Sequence, residues 1–128
     1  ILSGVSTMEQ RKENIEIFSK AAPNSMTEEE LNIVDKVKAL YESKTRVGCT
    51  ACNYCMPCPS GVDIPRIFSI YNNAVMFDDF AGQAQQYKML TDEGKDASNC
   101  VECGQCESVC PQNIEIIEKL KEAHEALT

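Results

Sequence analysis

The feature that most constrains this chain is the grouping of its eight cysteines into two tight runs, CTACNYCMPCP at 49–59 and CVECGQCESVCP at 100–111. Each run is Cys-x-x-Cys-x-x-Cys followed by a fourth cysteine with proline directly behind it. The first comprises Cys49, Cys52, Cys55, Cys58 and Pro59, and the second Cys100, Cys103, Cys106, Cys110 and Pro111. The runs differ by one residue, since two residues precede Cys58 and three precede Cys110. Two-residue gaps let a short loop curl so that three sulfurs converge while backbone N–H groups turn toward them. A fourth sulfur is harder to supply from the same loop, because it must arrive from the far side.

The second run has the spacing of a bacterial-type ferredoxin cluster loop, and the first is the same pattern shortened. A cubane cluster has four irons, each needing one thiolate, so two such runs predict two [4Fe–4S] clusters. In two-cluster ferredoxins the fourth cysteine of each run serves the other cluster. The resemblance therefore implies Cys49, Cys52, Cys55 and Cys110 around one cluster, and Cys100, Cys103, Cys106 and Cys58 around the other. Disulfides compete poorly, since cysteines two residues apart make bad partners for each other. Structural zinc also uses Cys-x-x-Cys pairs. It gives no reason for a proline after both fourth cysteines, yet zinc can occupy these thiolates in material purified in air.

Composition bounds what surrounds the cysteines. The 128 residues leave room for one domain and an appendage, with few aromatics and no tryptophan. A core this small needs staples, which two clusters can supply. The net charge of −8 argues against nucleic acid and against an anionic membrane surface. It favours a redox partner with a basic docking face. No apolar run approaches the roughly 20 residues of a membrane span. Eight reduced cysteines imply a reducing compartment, hence the cytoplasm. The chain opens at Ile1 in mid-pattern and reads as a piece of something longer.

Helical periodicity fills the rest. Residues 1–5 are a short apolar stretch, expected as a strand end. Capping pairs at Ser6/Glu9 or Thr7/Gln10 open a helix over about 8–20, with Met8, Ile15 and Phe18 on one face. Thr27 and Glu30 cap another helix, whose stripe is Leu31, Val34, Val37 and Tyr41. Asp63 and Pro65 start a third, burying Ile64, Ile67, Phe68, Tyr71 and Val75. A fourth is expected over about 79–90, with Phe80, Ala84 and Tyr87 inward. Ile114, Ile117, Leu120 and Leu127 mark a closing helix, on which His124 reads as a solvated surface residue. The segment 58–64 echoes 110–116, as proline leads away from each run and an apolar–acidic–apolar trio enters a helix.

The long helical stretch between Cys58 and Cys100 resembles the α-helical ferredoxin domains inside larger oxidoreductases, such as that of the fumarate reductase iron–sulfur subunit. A resemblance over the whole chain is to the C-terminal part of iron–sulfur aldo/keto reductase-like proteins. It rests on SGVSTMEQRKEN at 3–14, CTACNYCMPCPSGVDIPRIFSIYN and CVECGQCESVCPQNIEI. In that family a (β/α)8 barrel carries a two-cluster ferredoxin domain at its C-terminus.

The resemblance implies an all-α fold: residues 1–22 as a remnant of the barrel end, 23–47 as a linker helix, and 48–128 as an α-helical ferredoxin domain with two cluster-binding loops. Glu13-Asn14 matches the end of the family's nicotinamide-cofactor stretch, with Asn14 in the adenine-contacting place. Gly4 and Gln10 stand where Lys and Arg are expected. The barrel's catalytic set lies upstream of Ile1, so no catalytic residue is assigned. The expected function is electron transfer, as the ferredoxin-like module of an aldo/keto reductase-family oxidoreductase whose barrel lies N-terminal to it. This stretch alone is not expected to catalyse. The alternative is a non-redox interaction domain held by structural zinc or by redox-silent clusters.

Overall fold

The computed structural model describes residues 3–128 and divides into two compact units, Ile1–Val37 and Lys38–Thr128. Every regular element among the described residues is helical. Residues 3–5 form no strand. The expected strand end otherwise falls on residues 1 and 2, outside the described residues.

In the first unit, α1 spans Met8–Ser19 and opens on the Thr7/Gln10 capping box, both halves of which are made. The next helix, α2, spans Glu28–Lys44 and runs across the division. At its start Thr27 Oγ1 accepts from the Glu30 N–H (3.3 Å), while Glu30 Oε2 accepts from the Thr27 N–H (2.7 Å). Three glutamates in its first turn suit the positive end of a helix dipole. The apolar stripes expected on both helices are present. Neither helix buries a residue, and Ile15, Phe18, Leu31, Val34, Val37 and Tyr41 are all exposed.

The second unit is built on three packed helices: α3 (Ile64–Met76), α4 (Phe80–Asp92) and α6 (Ile116–Leu127). Alpha-helical spacing places Ile64, Ile67, Phe68, Tyr71 and Ala74 on the inner face of α3, and Ile116, Leu120, Ala123 and Leu127 on that of α6. Tyr87 and Leu90 of α4 complete the core, with Val47, Val62 and Ala97 from the connecting segments. Phe80 departs from expectation and is exposed. It is the first residue of α4, and helical side chains lean back toward the N-terminus, which carries this ring beyond the packed turns.

Capping ties the cysteine segments to the helices. Asp79 caps α4 by accepting from the Gly82 N–H at 3.0 Å. Asp63 makes no side-chain cap; its own N–H donates instead to the Lys95 carbonyl at 2.9 Å, joining the start of α3 to the end of α4. Pro65 sits in the first turn of α3, where its missing N–H costs nothing. A single helical turn, α5 (Gln105–Ser108), lies inside the second cysteine run. Its four residues are too few for a periodic signal. The first run has no such turn, being one residue shorter and containing Pro57.

Candidate metal centre

The two cysteine runs fold alike. In each, the residues on either side of the second cysteine have positive φ: Ala51 (52°) and Asn53 (63°) around Cys52, and Glu102 (55°) and Gly104 (74°) around Cys103. Three residues beyond each fourth cysteine the pattern recurs, at Gly61 (78°) and Asn113 (50°). There the Gly61 N–H donates to the Cys58 carbonyl at 3.0 Å, and the Asn113 N–H to the Cys110 carbonyl at 3.1 Å. The weak sequence echo is thus a true backbone repeat.

Left-handed residues alternating with ordinary ones curl a chain so that successive N–H groups face one concavity, an arrangement that attracts anions. Glycine and asparagine tolerate that conformation; alanine and glutamate cost roughly 1–2 kcal/mol in it. Ala51 and Glu102 therefore hold strained positions at matching points of the two loops, as residues at functional sites often do. In the first loop the Ala51 N–H donates to Cys49 Sγ at 3.4 Å.

The sulfurs surround two cavities. One, of about 340 Å³, is lined by Cys100, Cys103 and Cys106 together with Cys58. The other, about 20 Å³, is lined by Cys49, Cys52 and Cys55 together with Cys110. Cys58 and Cys110 thus each border the cavity of the other run, and the larger cavity has Cys55 on its border as well. Cys55, Tyr54 and Ile64 border both cavities and stand between them. Cys52 and Cys103 are the exposed cysteines; the other six are half-buried.

Burial pushes the Cys106 thiol up to about 11, with nearby Glu107 and Cys100 adding to the shift. The Cys55 thiol also rises, mainly through burial and further through Cys49, Cys52 and Cys110. Both shifts favour the protonated thiol, so metal binding at Cys55 and Cys106 must release protons. The donor set is all sulfur, which suits iron–sulfur clusters and zinc alike.

Those two ligands differ in the size of the site they need. Tetrahedral zinc with Zn–S bonds near 2.3 Å draws its four sulfurs to within about 3.8 Å of one another. Among the described residues, no three of His, Cys, Asp and Glu are gathered tightly enough to hold a single ion.

A family profile described as a 4Fe-4S dicluster domain matches residues 48–115. The chain belongs to that family. It is an iron–sulfur, ferredoxin-like protein, and its chemistry is iron–sulfur electron transfer. Comparison with curated proteins and with solved structures gave no match. No described helix is long and apolar enough to cross a membrane.

Several parts of this 4Fe-4S domain carried no sequence signal. Glu107 lies between Cys106 and Cys110, and its Oε1 accepts from the Ile117 N–H at 2.9 Å, capping α6 from within the cysteine run. Glu102 pairs with Lys121 of α6 at 2.9 Å. His124 is no solvated bystander: its Nδ1 lies 2.8 Å from the Tyr87 hydroxyl and 3.8 Å from the buried Asp96 carboxylate. Of the six left-handed positions in and just beyond the two runs, Asn53, Gly61, Gly104 and Asn113 could have been picked out from residue type alone.

Proposed function

We propose that this domain carries two [4Fe–4S] clusters and relays single electrons between redox partners. Cys49, Cys52, Cys55 and Cys110 would hold one cluster, and Cys100, Cys103, Cys106 and Cys58 the other. The observation that supports this reading is that Cys58 of the first run borders the cavity at Cys100, Cys103 and Cys106, while Cys110 of the second run borders the one at Cys49, Cys52 and Cys55. When bound, such clusters accept and donate one electron with little change in geometry. The residues of the chain do the rest. The left-handed positions turn N–H groups inward, where they favour added negative charge. Val62, Ile64, Ile114 and Leu120 border the cavities with apolar surface and limit water. The surrounding acidity raises the cost of further negative charge and so favours a low potential.

The wider setting is proposed from the sequence resemblance. Residues 1–22 would be the end of an aldo/keto reductase-like barrel, 23–47 a linker helix, and 48–128 the cluster domain. The barrel would lie N-terminal in the same chain, in a cytoplasmic oxidoreductase whose partner presents a basic face. The 128-residue chain would not reduce carbonyl compounds by itself.

Anaerobic reconstitution tests the central claim. The expected product is brown, holds about eight irons and eight sulfides per chain, and bleaches reversibly with a strong reductant. About two zinc ions per chain that reconstitution cannot displace would establish the zinc-stapled alternative instead.

A further inference from the structure

We propose that each cysteine run is held at its entrance by one polar side chain from a packed helix, Asn72 of α3 for the first and Tyr87 of α4 for the second. Both would act as positioning residues that set where the ligand sulfurs lie without being ligands. The inference rests on the two-cluster reading and adds two residues that no cysteine motif contains.

Asn72 grips the main chain just ahead of Cys49. Its Oδ1 accepts from the N–H groups of Arg46 and Val47, each at 2.9 Å, and its Nδ2 donates to the Val47 carbonyl at 2.8 Å. Three bonds from one half-buried amide fix the direction of a segment two residues before the first cysteine. The Val47 side chain is buried in the core beside them, so the segment is held by packing and polarity together.

Tyr87 does the same ahead of Cys100. Its hydroxyl oxygen accepts from the Ala97 N–H at 3.0 Å and shares a hydrogen bond with His124 Nδ1 at 2.8 Å. Asp96 completes the entrance: it accepts from the Ser98 N–H (3.3 Å) and from Asn99 Nδ2 (3.0 Å), folding the single 3₁₀ turn Ala97–Asn99 that Cys100 caps. Both entrances come from different residue types on different helices, yet each bonds main-chain groups two or three residues before a first cysteine. The loops beyond them share one pattern of left-handed positions. Given that shared path, the direction of entry decides where the next three sulfurs fall.

The test uses Asn72→Ala and Tyr87→Phe in the full chain, reconstituted anaerobically and challenged with an iron chelator. The two clusters are told apart by spectra assigned with Cys52→Ser and Cys103→Ser. Asn72→Ala should speed loss of the Cys49-loop cluster about tenfold or more, the scale of lost hydrogen bonds, and leave the other nearly unchanged. Tyr87→Phe should do the reverse. Hydrogen exchange of the reconstituted chain supplies a second, residue-level readout. Arg46 and Val47 should lose protection only in Asn72→Ala, and Ala97 only in Tyr87→Phe. Equal loss of both clusters in each variant, or unchanged exchange at these amides, overturns the proposal. Failure of the two-cluster reading registers separately, as an unaltered chain that never holds about eight irons.

Discussion

Replacing Cys58 with serine is the sharpest probe of how the two runs cooperate. Cys58 lies 42 or more residues before the cysteines with which it shares a cavity, Cys100, Cys103 and Cys106, and adjoins in sequence the run whose cavity it does not line. A serine hydroxyl stays protonated at neutral pH, so one iron of the second cluster would lose its anionic ligand. About four of eight irons should be lost, all from the cluster at Cys100, Cys103 and Cys106. If the remaining hold is weakened a hundredfold, about 2.7 kcal/mol of cluster-linked stability disappears. For a unit of about 90 residues that is a fall of roughly 10–20 °C in Tm.

The assay is iron and sulfide content with low-temperature spectra of the reduced protein, each cluster assigned by variants in its own loop. Cys110→Ser is the mirror experiment and should deplete the cluster at Cys49, Cys52 and Cys55. Damage confined in both variants to the sequence-adjacent cluster would refute crossing and make the halves independent sites. Cys55 is the wrong residue for this purpose, because it borders both cavities.

Two further outcomes follow from the core. Leu120 is wholly buried between α6 and its neighbours, so Leu120→Ala should cost about 2–5 kcal/mol by thermal or denaturant unfolding, whereas Leu31→Ala on exposed α2 should stay within about 0.5 kcal/mol. Burial first, and then the nearby Asp96 carboxylate, push the Tyr87 hydroxyl from its usual 10 to about 12. The folded chain thus keeps a proton that the unfolded chain releases. Tyr87 should contribute a fall in stability as pH rises from about 10 toward about 12, and Tyr87→Phe should reduce the alkaline fall over that range; an equal fall in the variant would refute the assignment.

The sequence alone determined the chemistry of the site, because ligand spacing is a local property. Cys-x-x-Cys-x-x-Cys encodes a loop within a dozen residues, and proline or glycine at fixed offsets punctuates it. The helices were legible for the same reason: capping boxes at Thr7/Gln10 and Thr27/Glu30 and the stripes of α3 and α6 are written at spacings of three and four residues.

What only the tertiary structure decided depends on residues far apart in the chain. Nothing near Asn72 announces that it will bind Val47, nor does anything near His124 announce Tyr87. The stripe of α2 has the same period as that of α3, yet one is exposed and the other buried. Periodicity records which residues share a face, not whether another element covers it. Ala51 and Glu102 take left-handed backbone although their side chains disfavour it, because the loop closed by its neighbours leaves no easier path. Cys58 borders the cavity at Cys100, Cys103 and Cys106, and Cys110 the one at Cys49, Cys52 and Cys55, because the packing of α3, α4 and α6 brings those distant segments together.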